Sequence, residues 1–349
     1  MPRLFLHIGT HKTGSTVLQQ TFRANSRLLA QRGIKWLPPF PNVRTFTRQT
    51  AVDESFIQSY RQYLRQRVDR AKQGTHRYLM SYEGFSGDPW TGYKNVGAIA
   101  TMLNEVTAEF NPTIIVYLRR QDEFVESFYI QTIQGGRSWS FEEFLGQTDA
   151  SWYCWESLVG SYARLFGRES IVVRRYGKSF LPEKDSLLRD FVDVLGIGPC
   201  TFKRRPSWTN TSQSPGAVEL ARLCNPHLTP EEQHQFRLLL QTASPRQPLT
   251  DHRYFRDDQR HAFLERYAGS NTRVAREYCG EEELFPPPLE ISTEQPEMVT
   301  ADRAPIVLAR TLLLLDRRLE VFEQRSWRSL PRRIRDRVRQ GLRRLMLWK

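Results

Sequence analysis

The sequence predicts an α/β protein: three α/β/α layers around a mostly parallel central sheet, followed by a helical C-terminal extension. Three observations carry that expectation. Short apolar runs alternate with amphipathic helical patterns along the first part of the chain, which is the signature of strands joined by crossover helices. The first apolar run passes directly into a glycine-rich turn and then a helix. The run Thr113-Ile114-Ile115-Val116-Tyr117-Leu118 is continuous, β-branched and apolar, as befits an interior parallel strand covered on both faces.

Taken in order, Leu4-Phe5-Leu6-His7-Ile8 reads as the first strand, with His7 a satisfied core histidine. After the turn, Leu18, Phe22, Leu28 and Leu29 recur at helical spacing as far as Gly33. Ile34-Lys35-Trp36-Leu37 is a second short strand, stopped by Pro38-Pro39. Asp53 is the expected N-cap of a helix that puts Ile57, Tyr60, Leu64 and Val68 on one face. Tyr78 to Tyr82 is the next strand, ending at Glu83-Gly84. A helix carrying Val96, Ile99, Leu103, Val106 and Phe110 stops before Asn111-Pro112, and the strand 113–118 follows. A further helix reaches Gly135-Gly136, Ser170 to Val173 is a strand, and Glu183 to Leu195 a helix. The expected layout is an α/β domain over 1–285, a Pro-containing linker over 286–302, and a helical, basic extension over 303–349.

Composition narrows the function classes. Apolar residues at 39% and charged residues at 26% exclude disordered and collagen-like chains. A formal charge of +13 calls for an anionic partner. Ten Lys/Arg against the single acid Asp336 fall in residues 325–349, which leaves the rest of the chain near neutral and argues against a nucleic-acid-binding body. Cys154, Cys200, Cys224 and Cys279 are widely spaced and lack zinc-site spacing. With no charged-then-apolar leader before the first strand, the expectation is a cytoplasmic protein with reduced thiols.

The chemistry gathers in Gly9-Thr10-His11-Lys12-Thr13-Gly14-Ser15-Thr16. A glycine loop entering a helix turns backbone N–H groups toward an anion at the carboxyl edge of the sheet. In the ATP- and GTP-binding P-loop the lysine directly follows the last glycine and a hydroxyl holds Mg²⁺. Here Ser15 follows Gly14, and Lys12 lies two residues before it, where it reaches over the 5′ end of a shorter anion. The strand 113–118 ends in Arg119-Arg120 rather than in a metal-holding aspartate. The loop therefore reads as one for a nucleotide without a bound metal.

His7 to Thr16 resembles the 5′-phosphosulfate loop of PAPS-dependent sulfotransferases, particularly bacterial carbohydrate-type members, with their P-loop NTPase-like fold. That family's second hallmark is a strand ending in Arg, with Ser eight residues later, together holding the nucleotide 3′-phosphate. Arg119 and Ser127 fall at those places, although Arg120-Gln121 replaces the Asp-Pro often found after the Arg. The resemblance covers residues 3–225. It implies that Gly9, Thr10, Lys12, Thr13, Gly14, Ser15 and Thr16 surround the 5′-phosphate, that Arg119 and Ser127 take the 3′-phosphate, and that PAPS gives up its sulfuryl group and leaves as PAP. No metal is expected.

Sulfuryl transfer is an in-line displacement, and charge builds on the bridging oxygen as PAP leaves. Lys12 and the amides of residues 13–16 are suited to meet that charge. The acceptor hydroxyl needs a base. Glu83, at the carboxyl end of the strand Tyr78–Tyr82, is the first choice and His11 its competitor. A carbohydrate or glycolipid hydroxyl is the implied acceptor. Lys203-Arg204-Arg205 with Trp208 and Asn210 is either a basic loop over the nucleotide or a solvated charge run, and Trp152, Tyr153 and Trp155 on a helix are either a sugar platform or core. In 331–349, Ile334, Val338, Leu342 and Leu345 share a helix face among arginines, the pattern of a helix lying on the anionic inner face of a membrane or of a solvated charged helix. The rival readings are a Mg²⁺-dependent small-molecule kinase and a non-catalytic, membrane-associated protein with a relic nucleotide loop. The oligomeric state is not encoded in any readable pattern.

Overall fold

A computed structural model describes residues 1–41, 43–47, 54–69, 77–149, 151–183, 185–199, 201–203, 214–243, 254–288 and Leu308. Its elements in order are β1 (Arg3–Gly9), α1 (Ser15–Ala24), α2 (Ser26–Gln31), β2 (Ile34–Trp36), α3 (Val43–Phe46), α4 (Glu54–Asp69), β3 (Arg77–Ser81), α5 (Val96–Val106), β4 (Asn111–Arg119), α6 (Gln121–Gln134), α7 (Phe141–Gly146), α8 (Trp155–Phe166), β5 (Ile171–Tyr176), α9 (Ser186–Leu195), α10 (Pro215–Cys224), α11 (Pro230–Ala243), α12 (Asp257–Glu265) and α13 (Ala268–Val274).

The five strands form one parallel sheet in the order β2-β3-β1-β4-β5. Phe5, Leu79, Ile115 and Tyr117 point to one face and pack on Leu18 and Phe22 of α1, Leu29 of α2, and Phe191, Val192 and Leu195 of α9. Their strand neighbours Leu6, Met80, Ile114, Val116 and Leu118 are equally buried on the other face, where α8 packs on β4 and the Tyr60 hydroxyl of α4 donates to Met80 Sδ at 3.1 Å. Two helical layers around a parallel sheet, with the glycine turn at the carboxyl end of central β1, make the P-loop-like three-layer α/β fold that the sequence predicts.

Several boundaries differ for physical reasons. The helix expected to run to Gly33 breaks at Asn25, whose side-chain amide exchanges hydrogen bonds with the backbone of Lys203 (2.8 and 2.9 Å), giving α1 and α2. β4 begins at Asn111 and takes in Pro112, because pairing with β5 starts only at Ile114 and no ladder bond is asked of the proline nitrogen. Trp152 and Tyr153 lie in a turn ahead of α8 rather than on a helix, with Tyr153 at φ 61°. His7 is only half satisfied: Nδ1 meets Ser81 Oγ at 2.7 Å, while buried Nε2 has no partner among the described residues.

The chain divides into two compact units. Met1–Gln131, Ser140–Asn210 and Tyr254–Gln295 form the first and hold the sheet; Thr132–Trp139, Thr211–Arg253 and Pro296–Lys349 form the second. In the second, α10 and α11 meet through a 3₁₀ turn at Asn225–His227, and Asn225 Nδ2 donates to the carbonyls of Ile133 and Arg137 at 2.8 and 2.7 Å. Asp53, Cys200, Arg204, Arg205, Trp208 and Asn210, the linker beyond residue 288 and, but for Leu308, the basic extension lie outside the described residues.

Candidate active site

The site begins where β1 ends. Gly9 has φ 103°, and a Cβ there would come within 3.1 Å of Glu83 Cα, so only glycine lets the loop lie against the start of the segment after β3. The buried Thr10 commits both its amide (2.9 Å) and its hydroxyl (3.1 Å) to the Tyr117 carbonyl of β4, and the Thr13 hydroxyl is committed to the Thr10 carbonyl at 2.7 Å. These two side chains shape the loop and have no hydroxyl proton left for a ligand. Lys12 sits at φ 63° and Gly14 at φ 77°, the latter as N-cap of α1 without a side-chain cap. Val17 N–H donates to the Gly14 carbonyl at 3.0 Å, so it is the amides of Ser15 and Thr16 that are left to whatever anion the loop receives. Among the described residues, the hydroxyls of Ser15 and Thr16 have no protein partner either.

Two cations converge at this loop. Arg119, 6% exposed at the end of β4, donates from Nη1 to the Lys12 carbonyl at 3.3 Å and from Nε to Glu123 Oε2 at 3.3 Å. Its guanidinium lies 5.6 Å from the ring centroid of Tyr176, and its carbonyl accepts from Trp155 Nε1 at 2.8 Å. Lys12 is half-buried and has no carboxylate within ion-pair distance among the described residues. Burial first, and Arg119 second, push its ammonium down to about 8. Ser127 is buried on α6, one turn past Glu123 on the same stripe, with a hydroxyl that no described residue engages. Arg120, by contrast, is spent on structure: it grips Asp122 with two bonds of 2.7 and 3.0 Å and donates to the Pro286 carbonyl at 3.2 Å.

The base candidates lie on the β3 side. Glu83 opens a 3₁₀ turn, Glu83–Ser86. Its Oε2 accepts from Gln19 Nε2 at 2.6 Å, and Oε1 has no partner among the described residues. His11 Nδ1 lies 3.3 Å from the Tyr93 hydroxyl and 3.5 Å from Ser86 Oγ. Burial pulls the His11 imidazole down to about 4, against the upward influence of Glu83 and Asp88 and with a further downward push from Lys12. His11 is therefore neutral at pH 7 and its Nδ1 is already engaged by Tyr93 and Ser86, while one oxygen of the Glu83 carboxyl has no partner among the described residues. The structure brings Glu83, His11, Lys12 and Arg119 to one end of the sheet. Tyr153 and Trp155 are fully buried core, which leaves Trp152 as the half-buried member of that aromatic group.

Sequence reasoning missed Gln19, Tyr93, Glu123 and Tyr176. Tyr176 was findable: it ends β5 in register with Arg119, and ligand sites lie at carboxyl ends of parallel strands. Glu123 was findable as the i+4 partner of Arg119. Gln19 and Tyr93 meet the site through tertiary contacts that no local pattern announces.

No family model matches the chain. An uncharacterized protein of Archaeoglobus fulgidus is 28% identical over 174 residues, which span 49% of this chain and 47% of that protein, so the chain spans about half the length of the relative it matches. The crystal structure of a sulfotransferase from Alicyclobacillus acidocaldarius aligns with 64% of this chain and 94% of its own at 18% identity and a TM-score of 0.37. Function is therefore read from the site's own residues. Among the described residues, no group of three or more His, Cys, Asp or Glu is arranged to hold a metal ion, and no helix is long and apolar enough to cross a membrane.

Proposed function

We propose that the protein is a sulfotransferase that moves the sulfuryl group of PAPS to a hydroxyl of a carbohydrate or glycolipid. One observation carries this reading: the half-buried Lys12 has no carboxylate within ion-pair distance among the described residues, and a second, buried cation, Arg119, donates to the backbone carbonyl of that same Lys12. A charge drawn out of water without a counter-ion is costly, and an anionic ligand removes the cost. The donor set fits a nucleotide phosphorylated at both ends. Lys12, the first-turn amides of α1 and the hydroxyls of Ser15 and Thr16 serve the 5′ end; the guanidinium of Arg119 and the Ser127 hydroxyl serve the 3′-phosphate.

When bound, PAPS supplies the sulfuryl group and, in PAP, the leaving group. Lys12 holds its positive charge where negative charge grows during transfer. Glu83 takes the acceptor's proton on Oε1 while Gln19 holds Oε2. His11, neutral and held by Tyr93 and Ser86, packs the loop against the 3₁₀ turn. The acceptor class comes from the motif resemblance, and its test is direct. Full-length protein is incubated with sulfur-radiolabelled PAPS and fractionated polysaccharides and lipids. Label is expected in one fraction, with none transferred by Glu83→Gln. Label in no fraction overturns the reading.

A further inference from the structure

Gln19 belongs to α1, the helix that receives the glycine-rich loop, yet its side chain leaves that helix to donate through Nε2 to Oε2 of Glu83 at 2.6 Å. It stands one turn past Ser15 on the same stripe. The backbone of Glu83 is already fixed: Gly9 packs so closely that a Cβ would lie 3.1 Å from Glu83 Cα and 3.2 Å from its Cβ, and the Glu83 carbonyl accepts from Ser86 Oγ at 2.7 Å. What remains free is the carboxylate's own torsions. Among the described residues, Gln19 alone bonds to that carboxylate.

We propose that Gln19 is a positioning residue, fixing the Glu83 carboxylate relative to the anion-binding end of α1. The inference rests on reading Glu83 as the base. A base must lie within about 2.6–3.2 Å of the proton it takes, and a misplacement of about 1 Å costs on the order of 10²-fold in rate. A glutamate with free torsions spreads over several rotamers; a charge-assisted bond to one oxygen selects one of them and presents the other oxygen. Because Gln19 and the first-turn amides ride on one rigid helix, whatever the loop binds is registered against the base through about one turn of backbone.

Two variants of the full-length chain test this. Gln19→Leu keeps the bulk and removes the donor; Gln19→Glu sets a like charge against Glu83. With PAPS and the labelled acceptor fraction, Gln19→Leu is expected to lower kcat by about 10- to 100-fold and Gln19→Glu by more. KM for PAPS and the melting temperature of Gln19→Leu should stay near wild type, a split that a merely structural role does not produce. Independently of any activity, coupling of a water-soluble carbodiimide to Glu83, mapped by mass spectrometry, is expected to speed up severalfold in Gln19→Leu, because a freed carboxyl is easier to attack. Coupling at the exposed Glu142 is the internal control. Unchanged coupling at Glu83 overturns the proposal, as does a kcat within twofold of wild type. If the wild-type protein transfers no label, the sulfotransferase reading falls, and the coupling rates still say whether Gln19 holds Glu83.

Discussion

Lys12 and Arg119 carry the proposed chemistry at the residue scale: among the described residues the Lys12 ammonium has no carboxylate within ion-pair distance, and Arg119 has Glu123 alone, at 3.3 Å. An anion at the loop stabilises the charged form of Lys12 and draws a proton onto it. Its folded-state value lies near 8, so the proposed affinity for PAP should be full below that pH and decline as pH rises through it. Calorimetric titration at pH 7 and pH 9 should show that decline in the wild type and none in Lys12→Ala, which still binds PAP within about tenfold at pH 7 but loses on the order of 10²–10³ in turnover. The histidines work the other way. Burial holds His11 near 4 and His7 near 3, both under the 6.5 of a free imidazole. Between pH 6.5 and 4 the unfolded chain takes up protons that the folded chain refuses, so their contribution is whole above 6.5 and is lost as pH falls. Melting temperature should drop between pH 7 and pH 4.5, and part of that drop should vanish in His7→Phe; an identical drop in both proteins would contradict the account. The placement of Lys12, Arg119 and Glu83 at the carboxyl end of the sheet was legible in the sequence because strand ends announce it; the roles given to Arg119 and Ser127 came from the motif resemblance. Gln19 was not legible, since its reach of 64 positions to Glu83 exists only once the sheet has formed.

At the scale of elements, the loop after β1 and helix α6 do the positioning. Gly14 combines φ 77° with a Cβ position only 2.5 Å from Leu187 Cδ2. Gly14→Ala should cost about 1–3 kcal/mol of stability and weaken PAP binding, read by denaturant unfolding and calorimetry. α6 is anchored by charge: Asp122 meets Arg120 and Arg260, and Glu126 meets Arg260 at 3.0 Å and accepts from the amides of Tyr254 and Phe255 at 2.8 and 3.2 Å. Burial raises the Glu126 carboxyl to about 7 despite Arg260. Arg260→Leu leaves Asp122 with Arg120 but strands Glu126 in the interior and should cost about 3–5 kcal/mol, with loss of binding following loss of fold. Strands with strong β-branched patterns were legible to within a few residues, as β4 shows. The break at Asn25 was hidden because it depends on Lys203, far along the chain.

For the whole molecule, the alternation of strand and helix was enough to give the three-layer architecture, because parallel strands need covered faces and crossover helices supply them. Composition could not separate the two compact units, whose segments interleave along the chain. The excess charge of residues 325–349 makes its own prediction: vesicles containing anionic lipid should sediment the full chain and leave a 1–324 truncation in the supernatant. The account as a whole is tested most directly by calorimetric titration of PAP into the full-length protein with divalent metal chelated. Saturable binding at one site, abolished by Arg119→Ala, is the predicted result. No binding of PAP by the wild-type protein, or equal binding by Arg119→Ala, would contradict it.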